Sequence, residues 1–326
     1  MAARRRGKKK SGRSYAWRYR GRIVACVFVE VIIICALVIM IGWNKGVKEW
    51  FEQFEQPVLK EVDISGINSP NAILMQARGG KILGEINGEA QIYPASMTKI
   101  MTVILGIENF DDLDEKITLT NEMFSGLYEQ DATQAGFQPG EEVRVIDLLY
   151  GAMLPSGAEC CIALADTISG SEADFAELMN KKAGKLGMEN THFCDSTGLH
   201  NPDHYSTVKD IAVLMKYCIK NDTFREIVET SRHSTGVTNI HPDGITYYST
   251  MFKNLSDPTV TGGKILGGKT GYTSEAGHCL VSFAEIEGRE YIFVSAGASG
   301  ADGNTIPHIQ DAVTVITGLV RRLRRR

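Results

Sequence analysis

Two side chains that could act together as a nucleophile and its base, Ser96 and Lys99, lie three residues apart in the segment Pro94-Ala-Ser-Met-Thr-Lys. Pro94 precedes a run of apolar residues at helical spacing, which predicts a helix that begins near residue 95. On one face of that helix the lysine amine would reach the serine hydroxyl, and a lysine kept neutral by burial can act as its base. Because this spacing also arises by chance, a helix start with a solvated lysine is the alternative.

A second polar segment lies far downstream, in Gly267-Gly-Lys-Thr-Gly-Tyr-Thr273, ahead of a predicted buried strand. Lys269 supplies a cation and Thr270 a hydroxyl, a pair suited to binding a substrate carboxylate. Gly271 would let the backbone of a ligand lie against the strand. A simple glycine-rich turn is the alternative interpretation.

A third segment, Leu154-Pro-Ser-Gly-Ala158, places a serine at a predicted junction between a loop and a helix. Ser156 could pass a proton between Lys99 and a leaving group. Alternatively, Ser156 is the N-cap of the following helix.

The elements that must position these segments are predicted from hydrophobic periodicity. A hairpin of two strands is expected around Gly79-Gly80, and a helical middle separates it from buried strands near the end of the chain. The further predicted helices are Val143–Met153, Glu159–Ile168, Ala173–Leu186, Val208–Lys220 and Thr305–Leu323, and the buried strands are His278–Ala284 and Glu290–Ala296. This order predicts an α/β (α+β) fold in which distant segments form one sheet, with an inserted helical lobe and the site in the cleft between them.

The three polar segments occur in the order of the motif set S-x-x-K, middle serine and K-T-G. On these motifs the chain resembles the serine D-alanyl-D-alanine carboxypeptidases, the low-molecular-weight penicillin-binding proteins, from about residue 70 to about residue 316. The segments that carry the likeness are Tyr93-Pro-Ala-Ser-Met-Thr-Lys-Ile-Met-Thr102, Leu148-Leu-Tyr-Gly-Ala-Met-Leu-Pro-Ser-Gly157, Met179-Asn-Lys-Lys-Ala183, Leu186-Gly-Met-Glu-Asn-Thr-His-Phe193 and Gly267–Thr273.

The resemblance implies a serine β-lactamase/DD-peptidase-like fold, with an antiparallel sheet flanked by helices. It implies that Ser96 is the acylated nucleophile, that Lys99 is its base and that Ser156 is a proton shuttle. The implied reaction removes the terminal D-Ala from peptidoglycan pentapeptide stems, and water then hydrolyses the acyl-enzyme. β-Lactam antibiotics would be trapped on the same serine.

The resemblance also assigns substrate-binding residues. Lys269 and Thr270 would hold the terminal carboxylate of the stem peptide, and Gly271 and Tyr272 belong to the same binding strand. The backbone N–H groups of Ser96 and Tyr272 would form the oxyanion hole.

The sequence departs from the family pattern at the middle motif, which normally reads Ser-x-Asn. The third position is Ala158, which has no side-chain amide. Two alternatives therefore stay open: a β-lactamase-like hydrolase, which needs a carboxylate over the site that the sequence does not identify, and a weakly catalytic wall-binding or β-lactam-sensing protein.

A zinc peptidase is a further alternative, because Ser231-Arg-His-Ser-Thr-Gly236 and Glu189-Asn-Thr-His192 resemble pieces of that class. The two pieces occur in the opposite order from that class, and Asn239 stands where an aspartate is expected. Zinc needs three protein ligands around an open position. We therefore expect neither a metal nor another cofactor.

Charge is distributed unevenly along the chain, whose net charge is −4. Ten cations and no acid lie in residues 1–22, and five cations lie among the last six residues. Residues 44–320 hold 20 basic and 38 acidic residues, a net charge of −18, which disfavours binding of nucleic acid.

Residues 23–43 form a 21-residue run that is apolar except for Glu30, long enough as a helix to cross a bilayer once. The cations before it predict a cytoplasmic N-terminus and an extracytoplasmic body at the cell membrane. A cleaved signal peptide and a buried core helix are the alternatives.

The predicted organisation is a basic cytoplasmic segment (1–22), a transmembrane signal anchor (23–43), a juxtamembrane stalk (44–60), a catalytic domain (61–320) and an Arg-rich tail (321–326). The chain as given ends soon after the expected catalytic fold, so the N-terminal helix is expected to provide the tether and no β-rich C-terminal domain is expected. Five cysteines follow the anchor, and an odd number cannot all pair internally, so buried thiols are predicted.

Overall fold

The computed structural model describes residues 61–255, 257–300 and 306–323. For residues 322 and 323 it describes the backbone but not the side chains. The basic segment, the anchor and the stalk predicted for residues 1–60 lie outside the described residues, as do residues 324–326 of the tail. None of the described helices has both the length and the apolar character required to cross a bilayer.

A six-stranded antiparallel sheet forms the framework of this part of the chain, with the strand order β2-β1-β10-β9-β8-β7. Two separate hairpins are formed by β3 with β4 and by β5 with β6. The strands are β1 (Asn71–Gln76), β2 (Ile82–Ile86), β3 (Lys116–Thr118), β4 (Glu142–Arg144), β5 (Arg232–Ser234), β6 (Thr246–Tyr248), β7 (Thr259–Val260), β8 (Gly263–Thr273), β9 (Gly277–Ile286) and β10 (Arg289–Ala298).

The helices lie mainly between β2 and β7 and make up the helical lobe. Short 3₁₀ turns cover Ala95–Thr98 and Glu122–Phe124. The α-helices are α1 (Lys99–Asn109), α2 (Val145–Met153), α3 (Ala158–Ser169), α4 (Glu172–Leu186), α5 (Val208–Cys218), α6 (Asp222–Glu229), α7 (Thr250–Asn254) and α8 (Pro307–Leu323).

Local sequence signals set several helix ends. The Ser171 hydroxyl accepts the N–H of Asp174 at the start of α4, and the Thr207 hydroxyl accepts the N–H of Asp210 at the start of α5. Gly187 ends α4 with φ +76°, a left-handed conformation that glycine adopts without a steric penalty.

The first and last strands of the framework meet although they are far apart in sequence, since Asn71 of β1 pairs with Ala296 of β10. Six consecutive residues are buried in β9 and in β10. Such runs form where both faces of a sheet are covered, and here α5 packs on β10 and β1 while α8 packs on β10 and β9. The prediction of one antiparallel sheet with flanking helices and a helical lobe is confirmed.

The prediction that the segment Gly267–Thr273 lies ahead of a strand is wrong. The segment lies inside β8, which pairs with β9 along its length. Its glycines are required by close packing rather than by a turn, because a Cβ on Gly267 would clash with the carbonyl oxygen of Val228. Helices α6 and α7 and the two small hairpins were not predicted.

The five described cysteines are free thiols. Cys160, Cys161, Cys218 and Cys279 are buried, and Cys194 is half-buried. Burial raises the pKa of Cys161 to about 12, so that thiol is neutral at physiological pH. The prediction of buried thiols holds for four of the five.

Candidate active site

The structure brings Ser96 and Lys99 into direct contact at the start of α1. Ser96 lies in the 3₁₀ turn Ala95–Thr98, in which side chains three residues apart stand on the same side. The Lys99 Nζ donates a hydrogen bond to Ser96 Oγ at 3.0 Å and another to the carbonyl oxygen of Thr197 at 2.7 Å. Ser96 is half-buried and Lys99 is 3% exposed, so the solvated lysine of the alternative interpretation is wrong.

The environment of Lys99 favours a neutral amine. Burial lowers the pKa of Lys99, and the negative charges of Asp195 and Glu159 only partly oppose this effect. A lysine with a lowered pKa holds a lone pair at a lower pH than an exposed lysine does. The Ser96 hydroxyl therefore has a base within hydrogen-bonding distance.

The backbone before Ser96 is strained. Ala95 has φ +48°, a left-handed conformation that costs about 1 to 3 kcal/mol for a residue with a side chain. Strand β8 passes directly beneath this turn, since a Cβ on Gly271 would lie 2.9 Å from the Ser96 nitrogen. Glycine at position 271 thus lets β8 approach Ser96 closely.

Lys269 and Thr270 project from β8 beside the serine turn. Lys269 is 1% exposed, and its Nζ donates to the carbonyl oxygen of Thr270 at 2.9 Å. Burial, together with the nearby charge of Lys99, places the pKa of Lys269 well below its ordinary range. The Thr270 hydroxyl is 2.7 Å from that of Thr250, and the Tyr272 side chain is exposed.

Ser156 precedes α3 in an unusual conformation. Its φ is +73°, its side chain is buried, and its Oγ has no hydrogen-bond partner among the described residues. The N-cap of α3 is Gly157, so the interpretation of Ser156 as the N-cap is wrong. A buried hydroxyl without a partner on a strained backbone is typical of a functional position.

The loop 195–204, which the sequence did not identify as part of the site, completes the surroundings of Lys99. Asp195 accepts the N–H groups of Thr197 and Gly198 at 2.7 Å each, and it bonds His204 Nδ1 at 3.1 Å. Burial alone raises the pKa of Asp195, but the hydrogen bonds from His204 and Thr197 outweigh it and lower the pKa to about 2. The turn so formed holds the Thr197 carbonyl oxygen against Lys99.

Two contacts join this loop to the 3₁₀ turn that contains Ser96 and to α1, which follows it. His204 Nε2 lies 2.9 Å from Thr98 Oγ1, and Thr102 Oγ1 donates to the carbonyl oxygen of Ser196 at 2.6 Å. A side chain on Gly198 would clash with the Ala95 carbonyl oxygen. Asp195 and Gly198 are residue types typical of a turn, but that signal does not indicate a contact with Lys99.

The two histidines of the zinc interpretation lie in different surroundings. His233 bonds Asp147 at 3.0 Å and stacks on Tyr150, whereas His192 bonds the carbonyl oxygen of Asp203 at 2.7 Å. Within residues 61–255, 257–300 and 306–323, no three metal-ligating side chains converge on one point.

Comparison with known proteins places these observations in a family. The family model described as D-alanyl-D-alanine carboxypeptidase, of the peptidase S11 type, matches residues 58–300. The chain belongs to this family. The match begins just before the described residues and includes Ser96, Lys99, Ser156 and the whole of β8.

The relatives of the S11 chain include the D-alanyl-D-alanine carboxypeptidases DacF of Bacillus subtilis and DacC of Escherichia coli. DacF is 35% identical over 231 residues, which are 70% of this chain and 57% of DacF. DacC is 33% identical over 262 residues, which are 73% of this chain and 58% of DacC. The chain thus spans a little over half the length of these two relatives.

Proteins of Streptomyces K15 are matched over more of their length. Its D-alanyl-D-alanine carboxypeptidase is 37% identical over 205 residues, which are 60% of this chain and 69% of that protein. The crystal structure of the Streptomyces K15 DD-transpeptidase superposes with a TM-score of 0.67 at 28% identity, covering 78% of this chain and 97% of that chain. The fold of this S11 protein is therefore that of the DD-peptidases.

Proposed function

We propose that the protein is a serine-type D-Ala-D-Ala carboxypeptidase that removes the terminal D-Ala from peptidoglycan stem peptides. The observation that carries this proposal is the 3.0 Å hydrogen bond between Ser96 Oγ and the buried amine of Lys99. The test is to incubate the purified protein with a stem pentapeptide and measure released D-Ala, alongside stoichiometric labelling by penicillin. Turnover supports the carboxypeptidase, whereas labelling without release supports the β-lactam sensor that Ala158 keeps open.

The reaction begins with proton transfer from Ser96 Oγ to the neutral Nζ of Lys99, as Oγ attacks the carbonyl carbon of the D-Ala-D-Ala amide. The backbone N–H groups of Ser96 and Tyr272 stabilise the oxyanion. The C–N bond then breaks, and Ser156 delivers its proton to the leaving nitrogen while it takes the proton that Lys99 had accepted, so D-Ala leaves and Lys99 is neutral again. In the second half water attacks the ester as Lys99 takes a proton from it, and that proton passes to Ser96 Oγ as the ester bond breaks. The shortened peptide is released as the free acid and Ser96 is restored. A β-lactam forms an ester on the same serine. Its amide C–N bond also breaks, but the nitrogen remains part of the acyl group through the other atoms of the opened ring, so no leaving group departs.

Lys269→Ala should weaken recognition of the substrate carboxylate more than the chemical step. With a peptide ending in a free carboxylate we expect kcat/KM to fall about 10- to 100-fold, because one charge-assisted hydrogen bond is lost. With the C-terminal amide of the same peptide we expect a much smaller change. The measurement is kcat/KM of both peptides in the wild type and in the variant.

The matched control is Lys264→Ala, which removes an exposed lysine from the same strand. It should leave both peptides at wild-type rates. Equal losses on the carboxylate and the amide in Lys269→Ala would contradict a role in carboxylate binding.

We also propose that residues 23–43 anchor the protein and that the catalytic domain lies outside the cell membrane. The support is the ten cations before the apolar run and the net charge of −18 after it. Protease added to intact cells with a permeabilised wall should remove the catalytic domain while a cytoplasmic marker protein stays intact. Protection of the domain until the cells are lysed would reverse the orientation.

A further inference from the structure

Glu159 is a buried carboxylate that the reaction described above does not use. It follows Ala158 in the first turn of α3, and it is 0% exposed. Its Oε1 accepts the N–H of Ala135 at 2.6 Å and that of Gly136 at 2.9 Å. Its Oε2 is buried and has no hydrogen-bond partner among the described residues. An unpaired carboxylate oxygen in the interior is unfavourable, which points to a function for this side chain.

The contacts of Glu159 tie the segment 133–136 to the start of α3. The N–H of Ala158 donates to the carbonyl oxygen of Thr133 at 2.8 Å. A Cβ on Gly157 would lie 2.7 Å from the Ala135 Cβ and 3.0 Å from Glu159 Oε2. The carboxylate therefore folds back along Gly157, which is bonded directly to Ser156. Since Ser156 has φ +73°, its conformation depends on such surrounding contacts.

The charge of Glu159 also acts on the base of the reaction. A negative charge near Lys99 favours the protonated amine and so raises the pKa of Lys99, against the effect of burial. Burial raises the pKa of Glu159 itself, and the N–H groups that it accepts lower it. The other titratable groups that influence Lys99 or lie near Glu159 are Cys160, Cys161, Asp195, Tyr247 and Lys269.

We propose that Glu159 is a positioning residue, whose carboxylate clamps the segment 133–136 onto the start of α3 and thereby keeps Ser156 and Lys99 in their reactive arrangement where Ala158 offers no amide. The inference rests on the proposed acyl transfer to Ser96. It predicts that the rate of acylation depends on both the reach and the charge of the side chain at position 159, and that the charge also shifts the pH at which Lys99 becomes active.

The test compares Glu159→Gln and Glu159→Asp in the full-length protein, with the rate of acylation by a fluorescent penicillin measured across pH. Glu159→Gln keeps the reach but replaces the carboxylate with an amide oxygen, which accepts the N–H groups of Ala135 and Gly136 more weakly, so the rate should fall about 10-fold. The acid limb of the profile, where the rate is lost as the pH falls, should move to lower pH by roughly 0.5 to 1 unit, because the charge that favoured protonated Lys99 is gone. Glu159→Asp keeps the charge but shortens the reach, so the rate should fall while the limb stays at its wild-type pH.

Asp311→Asn is the matched control, since Asp311 on α8 is a 1% exposed carboxylate that accepts the backbone N–H groups of Asn68 and Ser69. It should lower the melting temperature without moving the acid limb.

The inference would be overturned if Glu159→Gln lost acylation rate only in proportion to the folded protein that it lost and its acid limb did not move. If Glu159→Gln does not fold, Glu159→Asp decides, and a wild-type rate in that variant overturns the clamp. Absence of acylation in the wild type would instead refute the proposed function.

Discussion

Ser96→Ala is expected to abolish covalent labelling of the protein by β-lactams and to lower the release of D-Ala by about 10⁴-fold or more, since no other group takes over an acylated nucleophile. This expectation is based on the half-buried hydroxyl of Ser96, which is hydrogen-bonded to the buried amine of Lys99. Intact mass after incubation with penicillin should show one adduct on the wild type and none on the variant. Peptide mapping of the wild-type adduct should place it on Ser96.

Ser234→Ala is a suitable control, because Ser234 is an exposed serine on β5 that contacts Thr246. It should be labelled at the wild-type rate. An adduct that persists in Ser96→Ala, or one that maps to Ser156 in the wild type, would contradict the assignment of the nucleophile.

The parts of the site that depend on local spacing could be predicted from the sequence. Ser96 and Lys99 are three residues apart, and either an α-helix or the observed 3₁₀ turn places them on one side. The apolar runs that became β9 and β10 are long enough to be recognised as buried strands. In these cases a single segment contains the whole signal.

The loop around Lys99 could not be predicted, because its contacts join residues about a hundred positions apart. Thr197 binds Lys99 through a backbone carbonyl oxygen, which every residue type possesses, so the residue type gives no hint of the contact. His204 lies in the same loop, and only the structure shows that it joins Asp195 to Thr98. Only the folded chain shows which polar groups meet.

The glycine-rich segment of β8 illustrates a different difficulty. Glycines weaken a strand on average, and that tendency favours a turn when the sequence is considered alone. At Gly268 and Gly271 the neighbouring backbone of Val281 and Ser96 leaves no room for a Cβ. Tertiary packing therefore overrides the local preference, and the strand continues through the glycines.

Ala158 is the position where the family pattern gives the least guidance. A missing amide removes one or two hydrogen bonds to a bound peptide, each worth about 0.5 to 1.5 kcal/mol, or roughly 2- to 10-fold in rate. That loss is small beside the loss of a nucleophile or a base. The buried clamp formed by Glu159 next to it gives a physical reason to expect that the arrangement of Ser156 and Lys99 persists.

Lys99→Ala and Lys99→Arg should both reduce the rate of acylation by about 10²- to 10⁴-fold, because neither side chain can accept the Ser96 proton at neutral pH. Arginine keeps the positive charge but does not lose its proton at neutral pH. Comparing the arginine variant with the wild type therefore separates the role of a base from that of a fixed cation. The measurement is the second-order rate constant for acylation by a fluorescent penicillin, with circular dichroism as the check on folding. An arginine variant that acylates near the wild-type rate would contradict a base at this position.

The pH dependence gives the same assignment an independent test. Acylation needs the neutral amine, so the rate is present above the pKa of Lys99 in the folded protein and is lost as the pH falls through it. Because burial lowers that pKa, the acid limb should lie below the pH at which an exposed lysine titrates. In Lys99→Ala the residual rate should no longer show this limb, since the titrating group has been removed. A residual rate that keeps the wild-type limb would mean that another group, such as Lys269 with its lowered pKa, is the base.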